Sequence, residues 1–70
     1  MIIKIEHLGA YYEVNFNKST VYCYEYKTKY SITHSFNVFL NQFTKTDSVW
    51  IPRSSVKLIN DCIIKYKVFL

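Results

Sequence analysis

Glycine, proline, alanine and arginine each occur once in this chain of 70 residues. A single glycine, Gly9, excludes a phosphate-cradling loop, which needs several unhindered backbone positions together. Only five acidic residues oppose nine basic ones. That balance excludes a mimic of DNA, which would have to be strongly acidic. The basic residues are scattered, without a run of five or more, as on a solvated surface. No apolar stretch approaches the ~20 residues of a membrane-spanning helix. The opening segment, Met1 to Leu8, is interrupted by Lys4, Glu6 and His7 and does not read as a secretory signal. Cys23 and Cys62 are therefore expected to be reduced and buried, in a protein of the cytoplasm. Two isolated cysteines and two isolated histidines, His7 and His34, lack the close paired spacing of a zinc site. Nor does any spacing pair a cysteine with a histidine as nucleophile and base. No catalytic residue, metal or cofactor is expected.

Aromatic residues are what the chain has in quantity: seven Tyr, five Phe and Trp50. A chain this short buries only ~60% of the surface its unfolded form exposes, so bulky side chains must supply a core that length does not. Half of the residues are hydrophobic, which argues for one folded domain over residues 1–70. Tyrosine hydroxyls need water or a partner, so part of this load belongs at a rim or on a binding face. Phe, Tyr, Met, Ile, Asn and Lys supply nearly half the chain, and their codons are A/T-rich. A small gene of that kind suits a bacteriophage or mobile element of a low-G+C host.

Period-two alternation predicts an antiparallel meander in the N-terminal half. Ile2 to Leu8 places Ile3 and Ile5 opposite Lys4 and Glu6, and Gly9 permits a tight reversal. Ala10 to Phe16 turns Tyr12, Val14 and Phe16 inward, with Tyr11, Glu13 and Asn15 outward. After a polar turn at 17–20, Val21 to Lys27 places Tyr22, Tyr24 and Tyr26 opposite Cys23, Glu25 and Lys27. Tyr22 and Tyr24 are expected in the core, with Tyr12, Phe16, Phe36, Phe43 and Trp50.

Further along, Ser35 caps a short predicted helix whose Phe36, Phe39, Leu40 and Phe43 make one apolar stripe; a strand with Phe36, Val38 and Leu40 on one side is the alternative. Residues 44–48 read as a loop, and Val49-Trp50-Ile51 as a short strand stopped by Pro52. The last segment admits two readings. A helix after Ser54 or Ser55 aligns Val56, Ile59, Ile63, Tyr66 and Leu70. A hairpin pairs Val56–Ile59 with Cys62–Phe69 around Asn60-Asp61, with Ile64, Tyr66 and Val68 inward. The wealth of β-branched and aromatic residues favours the hairpin. The expected fold is α+β: a mostly antiparallel sheet of five or six strands, with one short helix between strands three and four.

Residues 50–59, Trp-Ile-Pro-Arg-Ser-Ser-Val-Lys-Leu-Ile, resemble the closing segment of SH3 domains, where aromatic-aliphatic-Pro precedes Ser or Asn, then Val and a last strand. They are similar, too, to a Trp-Ile-Pro-Lys-Ser stretch in small phage proteins of unassigned role. The first likeness implies an all-β SH3-like small barrel as the alternative fold. It does not imply binding of Pro-rich ligands, because Ser55 stands where those domains carry a ligand-stacking Tyr.

Aromatic and basic residues together mark the candidate site. Lys27, Lys29 and Tyr30 gather after the third strand, Lys65 and Lys67 share a face of the last, and Tyr11 points outward beside them. Arg53, with Trp50, suits an interface anchor. Such mixtures serve a protein interface, and they also serve single-stranded nucleic acid, where rings stack on bases and cations track phosphates. The expected function is a small non-enzymatic phage-type protein that occludes a site on a host protein or nucleoprotein complex. An inhibitor of a bacterial defence system, such as an anti-CRISPR protein, fits that description. A nucleic-acid-binding domain is the alternative, and a homodimer is the third arrangement these residues admit.

Overall fold

β1 (Ile2–His7), β2 (Ala10–Asn15), β3 (Thr20–Glu25) and β4 (Ser31–Ser35) form one antiparallel sheet in sequence order. A π-helical segment, Val38–Gln42, and an α-helix, α1 (Arg53–Lys67), follow. The computed structural model describes residues 1–42 and 51–67. The expected strand at 49–51 (apart from Ile51, at a bend), the loop at 44–48, and core positions Phe43 and Trp50 lie outside the described residues.

The turns explain why neighbouring strands pair so directly. Leu8 and Gly9 both have positive φ, 49° and 77°, between the paired residues His7 and Ala10. Two left-handed residues in succession match the right-handed twist of a two-residue hairpin. Gly9 adopts this conformation without cost, whereas Leu8 adopts it against its own Cβ. The β2–β3 turn is held by Asn15, whose Oδ1 accepts from the backbone N–H groups of Asn17 and Lys18. In the β3–β4 turn Lys29 N–H donates to Glu25 O at 2.8 Å, and Thr28 Oγ1 donates to the Glu25 carboxylate at 2.6 Å.

Register divides the sheet into two faces. On one, Ile5, Tyr12, Cys23 and Ile32 lie in a row across the four strands, beside a second row of Ile3, Val14, Val21 and His34. Tyr12, Val14, Val21 and Cys23 are fully buried there, and Ile59 and Ile63 of α1 belong to the same core. Phe16 packs edge-on against Phe36 and Tyr66, with ring centroids 5.3 Å and 6.4 Å apart, which ties the far end of α1 to the sheet.

α1 begins where Pro52 places its carbonyl to accept from Val56 N–H at 3.0 Å. Proline suits a helix start because its missing N–H has no helical partner there. Val56, Ile59, Ile63 and Tyr66 make the buried stripe, while Arg53, Lys57, Asp61 and Lys65 face water. Asn60 donates to Phe39 O at 2.7 Å and so joins the helix to the π-helical segment.

Several expectations meet the structure differently. Among the described residues the sheet has four strands, not five or six, although the α+β class is compatible with it. Residues 53–67 are helical, so neither the hairpin of Val56–Ile59 with Cys62–Phe69 nor an SH3-like barrel with a last strand there is formed. A four-stranded sheet needs a cover over its apolar face, and the helical stripe provides one, which outweighs β-propensity. The short helix expected after Ser35 is present, with residues 36–42 helical and Val38–Gln42 in the π form, so the alternative strand through Phe36, Val38 and Leu40 is not formed; an edge strand that was not expected, β4 (Ser31–Ser35), precedes it. Tyr22 and Tyr24 are not core residues: Val21 and Cys23 take that face of β3.

One core atom stands out. The Tyr12 hydroxyl is buried without a hydrogen-bond partner among the described residues. Burial pushes this phenol above its ordinary value; the nearby Ser55 hydroxyl acts in the opposite direction, without reaching hydrogen-bond geometry. Ser55 itself is fully buried and bonded to His7 Nδ1 at 2.8 Å. An unpaired buried hydroxyl costs ~1–3 kcal/mol. Tyr12→Phe is therefore expected to raise stability in urea unfolding by about 1 kcal/mol. A loss of that size would instead show that the hydroxyl is paired.

Candidate functional site

The second face of the sheet carries the tyrosines. Across the strands, Glu6, Tyr11, Tyr24 and Ser31 form one row, and Lys4, Glu13, Tyr22 and Thr33 the next. Tyr26 lies next to this row, just past the end of β3, with its ring 5.7 Å from that of Tyr24 in an edge-to-face arrangement. α1 packs against the opposite face, so this one bears rings directed away from the core. Period two dictates the result: with Val21 and Cys23 inside, Tyr22 and Tyr24 must point out.

The phenols are tied to carboxylates. Tyr11 donates its hydroxyl to Glu13 Oε2 at 2.7 Å. That hydrogen bond, with smaller effects of desolvation and of the Glu13 charge, pushes the Tyr11 phenol up to about 12. Tyr26 is raised as well, by desolvation first and then by Glu6. At neutral pH both phenols are thus protonated donors. The formal charges in these rows are then Glu6 and Glu13 against Lys4.

One end of the sheet adds exposed apolar and basic groups. Leu8 is 63% exposed at the β1–β2 turn, and Tyr26 N–H donates to Gly9 O beside it. Tyr26 and Tyr30 are 46% and 49% exposed, with Lys27 and Lys29 on the turn between them. Lys29 has a φ of 60° within a hydrogen-bonded turn, so this corner has a defined shape.

The expected site residues are divided by this geometry. Tyr11 lies on the tyrosine face, with Lys27, Lys29 and Tyr30 at its end. Arg53 starts α1, on the other side of the sheet, and Trp50 beside it lies outside the described residues. Lys65 is on the helix, its ammonium 5.3 Å from the Tyr66 ring centroid. It does not join Tyr11, because the helix covers the opposite face of the sheet. The backbone of Lys67 ends α1. Sequence reading missed Glu6, Glu13, Tyr22, Tyr24 and Tyr26 as site residues. The hydroxyls gave only a weak signal: Val21 and Cys23 have none to satisfy, yet Tyr12 has one and is buried.

Among the described residues, the side-chain pair with a nucleophile-like arrangement is Ser55 with His7, and Ser55 is sealed. Ser55 has 0% exposure and sits in the first turn of α1, where its bond to His7 locks the helix start to the end of β1. Cys23 is buried and pushed up to about 12 by that burial, so it is a packing residue and no ready thiolate. Among the described residues no three His, Cys, Asp or Glu side chains gather as metal ligands, and no helix is long and apolar enough to cross a membrane. No protein-family model, curated protein sequence or solved structure matches the chain.

Proposed function

We propose that the chain is a non-enzymatic binding protein that docks onto another protein through its tyrosine-lined sheet face and occludes a site there. The observation that carries this reading is the row Glu6–Tyr11–Tyr24, flanked by Tyr22 and Tyr26, on the face away from the helix. Tyrosine offers a large, rigid area with a polar tip and loses little side-chain freedom when docked, which is why it is enriched at interface hot spots. Leu8, Tyr26 and Tyr30 extend the surface at one end.

Charge favours a protein over a nucleic acid on this face. Its carboxylates, Glu6 and Glu13, would repel phosphates, whereas Arg53, Lys57 and Lys65 stand on the helix, in the other layer. The A/T-rich composition adds the setting: a phage-type protein acting in the cytoplasm of a bacterial host, with a component of a defence system as a suitable target.

A photo-reactive benzoylphenylalanine in place of Tyr24, and separately in place of Lys57, tests the reading in a lysate of a low-G+C bacterium. A specific protein adduct from position 24, absent from position 57, is expected. An adduct from position 57 alone, or one removed by nuclease, would overturn docking through the tyrosine face.

A further inference from the structure

We infer that the occupant of the tyrosine face is an arginine- or lysine-bearing segment of the partner protein, its cationic heads paired with Glu6 and Glu13 over the rings of Tyr11, Tyr24 and Tyr26. The inference rests on reading that face as a docking surface, and it assigns the chemistry of what docks.

The first argument is desolvation. Glu6 ends the row that contains the Tyr11–Tyr24 pair, and Glu13 lies two residues along β2 on the same face. Any partner that fits closely over the tyrosines strips water from both carboxylates. A buried carboxylate without a cation or donors is severely penalised. Tyr11 already donates a hydrogen bond to Glu13, and the Tyr26 hydroxyl interacts with Glu6; each carboxylate keeps further acceptor positions for the partner. Lys4, across from Glu13, answers part of this charge in the second row, and the first row contains no cation. Arginine and lysine heads supply donors and charge together, and the ring faces attract them in addition. An acidic or phosphate-bearing occupant would add anions to a face that already holds two.

The second argument is area. Four strands at their usual spacing span about 19 Å, and six residues run about 20 Å, so the face offers roughly 400 Å². That is about half of the ~800 Å² each partner contributes to an interface of standard size. A loop or strand laid across the rows fits this footprint, whereas a broad, flat protein surface does not.

Whole-molecule charge opposes the pairing at long range, since the chain carries +4 and Lys27 and Lys29 stand at the end of the face. Screening limits that repulsion to about 8 Å at physiological salt. The recognition is therefore local, and carboxylate variants test it better than salt does.

The experiment is an NMR titration of the isotope-labelled protein with three probes: hexa-arginine amide, hexa-glutamate and a thymidine oligonucleotide. Hexa-arginine is expected to shift the amides of Glu6, Tyr11, Glu13, Tyr24 and Tyr26, and hexa-glutamate to leave them unmoved. The double variant Glu6→Gln/Glu13→Gln, whose unchanged amide spectrum elsewhere reports intact folding, is expected to bind hexa-arginine about tenfold more weakly. Shifts confined to Asp61 or Glu25, no response, or equal affinity in the variant would overturn the inference. So would binding of the oligonucleotide to the tyrosine face, or concentration-dependent shifts there in the unliganded protein, which would place a second copy of the chain on it. A cross-link at position 24 without a hexa-arginine response would overturn the cationic occupant alone. Absence of that cross-link would overturn the docking reading beneath it.

Discussion

Ile63→Ala is expected to lower stability by about 2–5 kcal/mol, while Ile64→Ala, one residue on, changes it by less than about 0.5 kcal/mol. Ile63 is fully buried among the core residues of the sheet, and Ile64 is 58% exposed on the outer side of α1. A domain of this length holds only roughly 4–10 kcal/mol in total, so the first variant stands close to the unfolding threshold at room temperature. Urea unfolding followed by far-ultraviolet circular dichroism measures both. The contrast also separates the helix from a hairpin, in which Ile64 would face the core and Ile63 the solvent. A larger loss for Ile64→Ala would contradict the helix.

Alkaline pH is expected to unfold the protein through Cys23. Burial raises its thiol from 9.0 to about 12 in the folded state, so between those values the folded chain keeps a proton that the unfolded chain has lost. Stability contributed by the thiol is complete below pH 9 and falls as pH rises, at about 1.4 kcal/mol per unit. Across the whole window the loss is roughly 4 kcal/mol. The buried Tyr12 phenol, also raised, acts in the same direction. Urea midpoints at pH 8.5 and 10.5 are expected to separate widely in the wild type and less in Cys23→Ala. Equal separation in the two proteins would contradict assignment of the effect to Cys23.

Strand periodicity was legible where apolar and polar residues alternate plainly. β1 and β2 run within the expected spans, with Tyr12, Val14 and Phe16 inward and Tyr11 and Glu13 outward. In β3 the period was legible and the facing was not. Val21 and Cys23 compete with Tyr22 and Tyr24 for the inside, and bulk suggested the tyrosines. Pairing with β2 decides otherwise, because Tyr12 and Val14 lie directly across from Cys23 and Val21. β4 went unrecognised because Ile32 is its only aliphatic residue, as suits an edge strand with one weakly buried face. The C-terminal helix was present in the sequence as the stripe Val56, Ile59, Ile63 and Tyr66. Local propensity opposed it, and only the need to cover one face of the sheet makes it the better solution.

The candidate site shifted for the same reason. Tyr11, Lys27, Lys29 and Tyr30 belong to one side or end of the sheet, yet Lys65 and Arg53 left that group once their segment became a helix. Glu6 and Glu13 entered it only through register, since residues far apart in sequence join a row that no local pattern reveals.

The most direct measurement is the affinity of the cross-linked partner, purified, for Tyr24→Ala and for Lys57→Ala. Docking through the tyrosine face requires Tyr24→Ala to weaken binding by about thirtyfold, a hot-spot loss of about 2 kcal/mol, with Lys57→Ala unchanged. Binding that survives Tyr24→Ala and fails in Lys57→Ala would place the interface on the helix and contradict it.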